Sequence, residues 1–162
     1  MVIPSHNPQL RNQPIAKPKQ RLEMCELALT QLPETLVDKV VVSDIELERS
    51  GATYTYDTLQ ELRGFFPQDN FTIIIGSDAA RQFGNWKRAK DIDKLAKILV
   101  VKRPGEEKIQ NGAFKFKEVS IDAIDISATQ IREKIAAGTI SKFLPKSVAA
   151  FINEKEIGRA HV

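Results

Sequence analysis

The fold is decided by Phe71-Thr-Ile-Ile-Ile-Gly-Ser-Asp78, an apolar run that ends in the small polar triplet Gly76-Ser-Asp78. A continuous apolar run predicts a strand that is buried on both faces of a parallel sheet. Ligands of open α/β sheets bind at the carboxyl ends of strands, where this triplet lies. Gly76 would let a nucleotide approach the backbone, and Asp78 would accept a hydrogen bond from a ribose hydroxyl or an amine. A tight turn, with Asp78 capping the next helix, explains the triplet equally well.

Helical and strand patterns alternate along the rest of the chain. We expect helices over residues 19–32 and 91–96, strands over 40–47, 97–102 and 118–124, and loops over 4–18 and 110–117. A final helix begins at Leu144-Pro145. The apolar residues expected to face inward from the first and last helices are Leu22, Cys25, Leu29, Leu32, Val148, Phe151 and Ile152. Such alternation predicts a three-layer α/β architecture with a mostly parallel sheet.

Composition favours one ordinary domain. The chain has 162 residues, of which 42% are hydrophobic, and its net charge is +3. The 24 basic and 21 acidic residues are mixed along the chain, which is not the pattern of a nucleic-acid-binding protein. Cys25 is the only cysteine, so we interpret it as a small buried hydrophobic residue and expect a reducing, cytoplasmic location. No apolar run has membrane-spanning length, so we expect no membrane partner.

The start of a helix at Ser127 has the composition of a phosphate site. Ser127 is a good N-cap, and Gln130 completes the Ser-x-x-Gln pattern of a capping box. The first turn offers unpaired N–H groups, the hydroxyls of Ser127 and Thr129, and the guanidinium of Arg132, all of which suit phosphate oxygens. A well-capped surface helix with an incidental arginine is an alternative of equal weight.

Three further segments carry candidate ligand groups. A proline-punctuated basic loop contains Arg11, and Lys102-Arg-Pro-Gly105 follows a predicted strand at its carboxyl end. Thr55 is expected to cap a helix that buries Leu59 and Leu62, with Asp57 in its first turn. Trp86, beside Lys87 and Arg88 in a polar and exposed setting, either fills a gap between helices or stacks on a flat ring.

Taken in order, these motifs resemble those of bacterial nicotinate-nucleotide adenylyltransferases, within the nucleotidyltransferase superfamily. The resemblance extends to about residue 153. Its motifs are the basic loop, Tyr54-Thr-x-Asp-Thr-Leu59, Ile-Ile-Gly76-Ser-Asp78, Trp86, Arg103-Pro-Gly105 and Ile-Ser-x-Thr-x-Ile-Arg132. It implies a Rossmann-like fold and the reaction of ATP with nicotinate mononucleotide, which yields deamido-NAD and pyrophosphate in NAD biosynthesis, with Mg²⁺.

The resemblance also implies residue roles. Trp86 would stack on the nicotinate ring, and the backbone amides of Thr55 and Lys87 would hold its carboxylate. Tyr54 and Arg11 would complete the substrate-binding set. Three residues, Ser127, Thr129 and Arg132, would be catalytic because they hold the triphosphate. Gly76 and Asp78 would border the adenosine, and Arg103 would add charge nearby.

The chain departs from the family pattern in two places. The basic loop usually reads Pro-Pro-His-Lys/Arg, whereas this chain has Pro8-Gln-Leu-Arg11. The family's first βα unit, with its His-x-Gly-His motif, has no counterpart, and His6 lies in the wrong context to replace it. We therefore expect residues 1–156 to be one N-terminally incomplete domain with little activity of its own, and residues 157–162 to be a non-native tail.

Two other functions remain open at this stage. A sister adenylyltransferase would act on nicotinamide mononucleotide or on phosphopantetheine, although Trp86 and the Tyr54-Thr55 segment argue against the latter. A non-catalytic nucleotide- or RNA-binding Rossmann-like domain would fit the missing histidines. It would, however, need exposed aromatic residues interleaved with clustered arginine and lysine, a pattern that the sequence lacks. An oligomer is possible.

Overall fold

A computed structural model describes residues 1–6, 14–103, 105–109, 113–122, 127–139 and 142–158. The chain forms two compact units, one comprising Met1–Thr53 with Asp125–Val162 and the other Tyr54–Ile124. The single domain over residues 1–156 and the non-native tail remain predictions. Within the first unit, Ile157 packs against the apolar cluster of that unit.

Seven α-helices and three strands are formed by the described residues. In chain order they are α1 (Pro18–Leu29), α2 (Glu34–Val37), α3 (Thr55–Phe65), β1 (Phe71–Gly76), α4 (Ser77–Arg81), α5 (Ala89–Leu95), β2 (Ala96–Lys102), β3 (Phe116–Ser120), α6 (Ala128–Ala136) and α7 (Lys146–Glu154), with a 3-10 turn at Phe83–Asn85 between α4 and α5.

The three strands form one parallel sheet in the order β1-β2-β3. Gly76 at the end of β1 pairs with Val101 of β2, and Lys102 pairs with Ser120 of β3. The strands therefore end side by side at one edge of the sheet. This confirms the predicted α/β class, because each parallel crossover requires a long connection, here made between β1 and β2 by α4, the 3-10 turn and α5.

The core of this unit is built around Phe83, which has no exposed surface. Its ring centroid lies 4.9 Å from that of Phe114, 5.6 Å from that of Phe116 and 5.1 Å from that of Trp86. The first two pairs are edge-to-face, an arrangement that aromatic rings prefer. The aromatic ring of Trp86 is thus half-buried against the core, and the prediction that it is exposed is wrong.

The prediction that β1 is buried on both faces is also wrong. Ile75 is buried, but Ile74 is 67% exposed. Side chains alternate between the two faces of a strand. Ala80 of α4 and Ile92 of α5 belong to the same buried cluster as Ile75, so the helices of this unit cover the face of Ile75 and leave that of Ile74 open.

Two predictions in the other unit need correction. The strand expected over residues 40–47 is reduced to one parallel bridge between Val42 and Val2, and the chain turns at Ile45. Helix α1 buries no residue completely, and Cys25 is only half-buried. Its Met24, Leu27 and Ala28 instead contact the cluster formed by Ile135, Val148 and Ile152. Positions i, i+3 and i+4 share a helix face, so the sequence contains two candidate stripes, and the second one contacts this cluster while Leu22, Cys25 and Leu29 are half-buried as well.

Helix and strand boundaries differ from prediction by a few residues, as is usual. The N-cap of α3 is Tyr54 and not Thr55, because the carbonyl oxygen of Tyr54 accepts hydrogen bonds from the backbone amides of Asp57 and Thr58. Pro145 is likewise the N-cap of α7 and not its first residue. Strand β3 begins at Phe116, inside the predicted loop. The inward positions of α3 and α7 are confirmed, with Leu59, Leu62, Val148, Phe151 and Ile152 all buried.

We predict that Phe83→Ala lowers the free energy of unfolding by about 3–5 kcal/mol, because it removes a fully buried ring and leaves a cavity. Urea unfolding followed by circular dichroism measures this change. The matched control is Phe65→Ala, at a ring that is 65% exposed, with an expected effect of less than about 0.5 kcal/mol. Equal effects of the two substitutions would contradict the assignment of Phe83 to the core.

Candidate functional site

The carboxyl edge of the sheet carries Gly76 and Asp78. Gly76 is exposed, and a Cβ built on it would have no atom within 4 Å, so its backbone is open to a ligand. Gly76 itself is the N-cap of α4. The alternative role of Asp78 as that cap is therefore excluded. Its side chain is 98% exposed and pairs with Arg81 at 3.1 Å, leaving carboxylate oxygen accessible from solvent.

Glu106 joins the ends of β1 and β2, a role that no motif in the sequence indicated. Its carboxylate accepts a hydrogen bond from the hydroxyl of Ser77, which is 6% exposed, and another from the backbone N–H of Arg103 at 3.0 Å. These two hydrogen bonds lower the pKa of Glu106, and the one from Ser77 has the larger effect. The carboxylate thereby holds the exposed Arg103 segment against the end of β1.

Lys102 has a structural role, although it precedes Arg103 in the same motif. It is 8% exposed, and its ammonium lies 2.9 Å from the carboxylate of Glu118. Glu118 also accepts the backbone N–H of Ile109 at 3.2 Å, and its pKa is lowered mainly by the hydrogen bond from Lys102. Removing either partner would leave a buried charge unpaired. Lys102 is therefore paired with Glu118, and Arg103 is the exposed cation of the motif at this edge.

The turn that contains Trp86 is fastened to the start of α3. The ammonium of Lys87 lies 4.2 Å from the ring centroid of Tyr54 and 3.0 Å from the carboxylate of Asp57. Within the described part of the chain, the backbone N–H groups of Thr55 and Lys87 donate to no acceptor. The structure thus connects Lys87 with Tyr54 and Asp57, and among the described residues it leaves without an acceptor the two amides that the resemblance implies.

Arg88 and Tyr56 form a second contact between the same two segments. The guanidinium of Arg88 lies 3.9 Å from the ring centroid of Tyr56, and its Nε donates to Asp91 at 2.8 Å. This hydrogen bond is the main reason why the pKa of Asp91 is lowered. The sequence did not reveal this contact, because Tyr56 and Arg88 are far apart in the chain and neither matches a motif.

In the other unit, Ser127 and Gln130 form the predicted capping box. The amide of Gln130 donates to the Ser127 hydroxyl at 3.1 Å, and the amide of Ser127 donates to the Gln130 side chain at 2.7 Å. The amides of Ala128 and Thr129 have no acceptor within the helix. Arg132 donates to the hydroxyl of Thr129 at 3.0 Å. Within the described part of the chain, two amides without an acceptor, two hydroxyls and a guanidinium therefore lie at one exposed helix end.

The predicted site residues are divided between the two units. Tyr54, Thr55, Gly76, Asp78, Trp86, Lys87 and Arg103 lie in one unit, and Ser127, Thr129 and Arg132 in the other. Arg11 falls outside the described residues. No group of three His, Cys, Asp or Glu side chains that could hold a metal occurs among the residues with described positions. None of the helices seen in these ranges has the length and apolar character of a membrane span.

We predict that Ser77→Ala raises the pKa of Glu106 towards its ordinary value, because the hydroxyl that stabilises the carboxylate is lost. Since the pKa is lowered in the folded chain, the Ser77–Glu106 contact should stabilise the fold above the ordinary carboxyl pKa and be lost as the pH falls through the folded value. An NMR titration of the Glu106 side-chain carbon measures the shift. Ser120→Ala is the control, and an unchanged Glu106 pKa in Ser77→Ala would contradict the contact.

Comparison with known proteins identifies the family. Residues 1–134 match the cytidylyltransferase-like family model. The chain is 35% identical over 154 residues to the "Probable nicotinate-nucleotide adenylyltransferase" of Geobacillus thermodenitrificans, covering 94% of this chain and 67% of the relative. It is 32% identical to a protein of the same name from Thermus thermophilus, covering 90% of this chain and 76% of the relative.

Solved structures support the fold. A Plasmodium falciparum nicotinic acid mononucleotide adenylyltransferase complexed with NaAD superposes with a TM-score of 0.78 at 17% identity, covering 96% of this chain and 80% of that protein. A second structure of that enzyme, complexed with APC, gives a TM-score of 0.71 at 19% identity, with coverages of 87% and 75%. The fold is therefore Rossmann-like, as the sequence predicted. By the family match and these relatives together, the chain belongs to the cytidylyltransferase-like family and, within it, to the nicotinate-nucleotide adenylyltransferases.

Proposed function

We propose that this protein transfers the adenylyl group of ATP to nicotinate mononucleotide, producing deamido-NAD and pyrophosphate in NAD biosynthesis. The observation that carries the proposal is that the turn of the half-buried Trp86 is attached to the start of α3, where the amides of Thr55 and Lys87 have no acceptor among the described residues. Two N–H donors suit the two oxygens of a carboxylate, and an indole face suits a flat pyridine ring. Membership of the adenylyltransferase family supports the same reaction.

The reaction needs no protein nucleophile. An oxygen of the mononucleotide phosphate attacks the α-phosphorus of ATP, and the bond from that phosphorus to the β-phosphate bridging oxygen breaks, releasing pyrophosphate. The protein has to align the two nucleotides and neutralise charge on the phosphate oxygens. For this task, Ser127, Thr129 and Arg132 supply hydroxyl and guanidinium donors to the triphosphate.

The remaining roles follow from exposure and charge. Gly76 leaves room for the adenosine, and the exposed carboxylate of Asp78 accepts from a ribose hydroxyl. Arg103, which follows β2, adds positive charge at the same edge of the sheet. The resemblance assigns Arg11 and Tyr54 to the substrate-binding set. Both substrates are anionic nucleotides, which the mildly basic chain favours. The expected location is the cytoplasm, with no nucleic-acid or membrane partner.

Mg²⁺ is expected to arrive bound to ATP. In phosphoryl-transfer sites Mg²⁺ is commonly held by substrate phosphates, waters and at most one or two carboxylates. The donor set found here fits that arrangement, because it presents cations and N–H groups and, in the ranges described, no cluster of acidic ligands. The ion supplies charge neutralisation on the phosphates when it is bound.

We predict pyrophosphate release from ATP with nicotinate mononucleotide and little release with nicotinamide mononucleotide. The carboxamide presents only one acceptor oxygen to the two N–H donors, so the acid should have a kcat/KM higher by at least about tenfold. The assay uses the 162-residue chain and a chimera that carries the first βα unit of a relative ahead of Met1, each with Mg²⁺. Equal rates with both nucleotides would broaden the substrate class. No release from the chimera with either nucleotide would refute the proposal and favour a non-catalytic nucleotide-binding domain.

A second prediction concerns the phosphate-binding residues. Arg132→Ala should lower kcat/KM by about 10- to 100-fold, because a charge-assisted hydrogen bond to the triphosphate is lost. Steady-state kinetics with ATP varied measures the change. Lys134→Ala is the matched control, since Lys134 is an exposed cation in the last turn of the same helix. Comparable losses in both variants would mean that only the general positive charge of α6 matters.

A further inference from the structure

The turn formed by Trp86, Lys87 and Arg88 is attached to the first turn of α3 at two consecutive points. Lys87 lies against the Tyr54 ring, with 4.2 Å from its ammonium to the centroid, and Arg88 lies against the Tyr56 ring, with 3.9 Å from its guanidinium carbon to the centroid. Cations within about 6 Å of a ring centroid are attracted to the ring. The two contacts connect Trp86 with the segment that carries the Thr55 amide.

The backbone at Arg88 is held in a conformation that side-chain-bearing residues avoid. Its φ is 57° and its ψ is 39°, in the left-handed region. Only one other non-glycine residue among the described ranges, Glu156, has a positive φ. A strained residue of this kind persists only where its surroundings hold it, and such residues occur frequently at ligand sites. Arg88 is held through its backbone, because its carbonyl oxygen accepts hydrogen bonds from the amides of Asp91 at 2.8 Å and Ile92 at 3.0 Å, and through the contacts of its side chain.

The Arg88 side chain is fixed from two directions. One direction is the Tyr56 ring, and the other is the carboxylate of Asp91, at 2.8 Å from Nε. Guanidinium groups combine stacking on an aromatic face with directional hydrogen bonding, which an ammonium does less well. Asp91 also accepts from Lys94 at 3.3 Å, but Lys94 has no ring contact among the described residues. Lys94 is therefore a natural reference for the effect of charge alone.

We propose that Arg88, held by Tyr56 and Asp91, is a positioning residue that sets the selectivity for a pyridine carboxylate over a pyridine carboxamide. This inference rests on the proposed function, in which Trp86 stacks on the pyridine ring and the amides of Thr55 and Lys87 bind its acid group. Arg88 follows Lys87 directly, so its left-handed backbone sets how the peptide between Lys87 and Arg88 joins the start of α5. The Tyr56 contact holds this turn, which carries the Lys87 N–H one residue before Arg88, against α3.

Loss of this clamp, defined as Tyr56, Arg88 and Asp91, should affect the two nucleotides differently. A carboxylate uses both N–H donors through its two acceptor oxygens, whereas a carboxamide uses one donor and leaves the other unpaired. When the Lys87 amide is no longer fixed, the acid loses one of its two hydrogen bonds and the amide loses little. Selectivity should therefore fall while stacking on Trp86 remains.

The test measures binding by fluorescence. Trp86 is the only tryptophan of the chain, so its emission reports directly on this turn. Nicotinate mononucleotide and nicotinamide mononucleotide are titrated separately into the wild-type chain, Arg88→Gln and the control Lys94→Gln. We expect Arg88→Gln to raise the Kd of the acid about tenfold, to change that of the amide by less than about twofold, and to lower the anisotropy of the free chain. Lys94→Gln should match the wild type in all three.

Two further variants separate the side chain from the backbone. Arg88→Gly suits the positive φ but removes the contacts, so it should lose acid selectivity as Arg88→Gln does. Tyr56→Phe keeps the ring and should retain selectivity. Wild-type selectivity in Arg88→Gly, or equal effects of Arg88→Gln and Lys94→Gln, would overturn the clamp while leaving the proposed function intact. A wild-type chain that binds neither nucleotide would refute the proposed function and this inference together.

Discussion

The parallel pairing of β1 with β2 is the constraint on which the Tyr54–Ile124 unit depends. Its register sets Gly76 opposite Val101, so both strands end at the same level. That alignment allows Glu106 to accept hydrogen bonds from Ser77 after β1 and from Arg103 after β2. A slip of one residue would exchange the two faces of the strand. Ile75 would leave the core, and the side chains around the strand ends would no longer meet.

Polar groups at the candidate site serve the fold and a ligand at once. In the capping box, the Ser127 amide and the Gln130 amide are already used. Among the described residues the amides of Ala128 and Thr129 have no acceptor, and each hydroxyl that accepts a hydrogen bond retains a proton that it can donate. Structural capping and phosphate binding are therefore compatible at this helix end, although the sequence alone presented them as alternatives.

The sequence predicted those features that depend on local chemistry. The apolar run before Gly76, the Ser127 capping box and the buried residues of α3 and α7 follow from period, propensity and spacing. It did not predict which face of β1 is open, because a run such as Ile73-Ile-Ile75 looks the same on both faces. The sequence also did not determine which apolar row of α1 contacts the cluster of Ile135, Val148 and Ile152, since Leu22 and Met24 each begin such a row. These choices depend on packing between distant segments.

The contacts that position Trp86 are long-range in the same sense. No spacing rule relates Tyr56 to Arg88, and a left-handed arginine has no signature in composition. The exposure of Trp86 was predicted from its polar neighbours, yet its ring packs on Phe83. Polar flanking residues describe the turn, whereas the indole itself faces the core. Tertiary contacts therefore determine how this turn is built, and the sequence alone could not predict its arrangement.

The most direct test of substrate recognition is an amide ¹H–¹⁵N NMR titration of this 18.2 kDa chain with nicotinate mononucleotide. Binding as proposed predicts that the largest shift changes occur at the backbone amides of Thr55 and Lys87 and at the indole N–H of Trp86. Nicotinamide mononucleotide should shift the indole while affecting the two amides less. Saturable binding of the acid that leaves the Thr55 and Lys87 amides unchanged would contradict the assignment of this site.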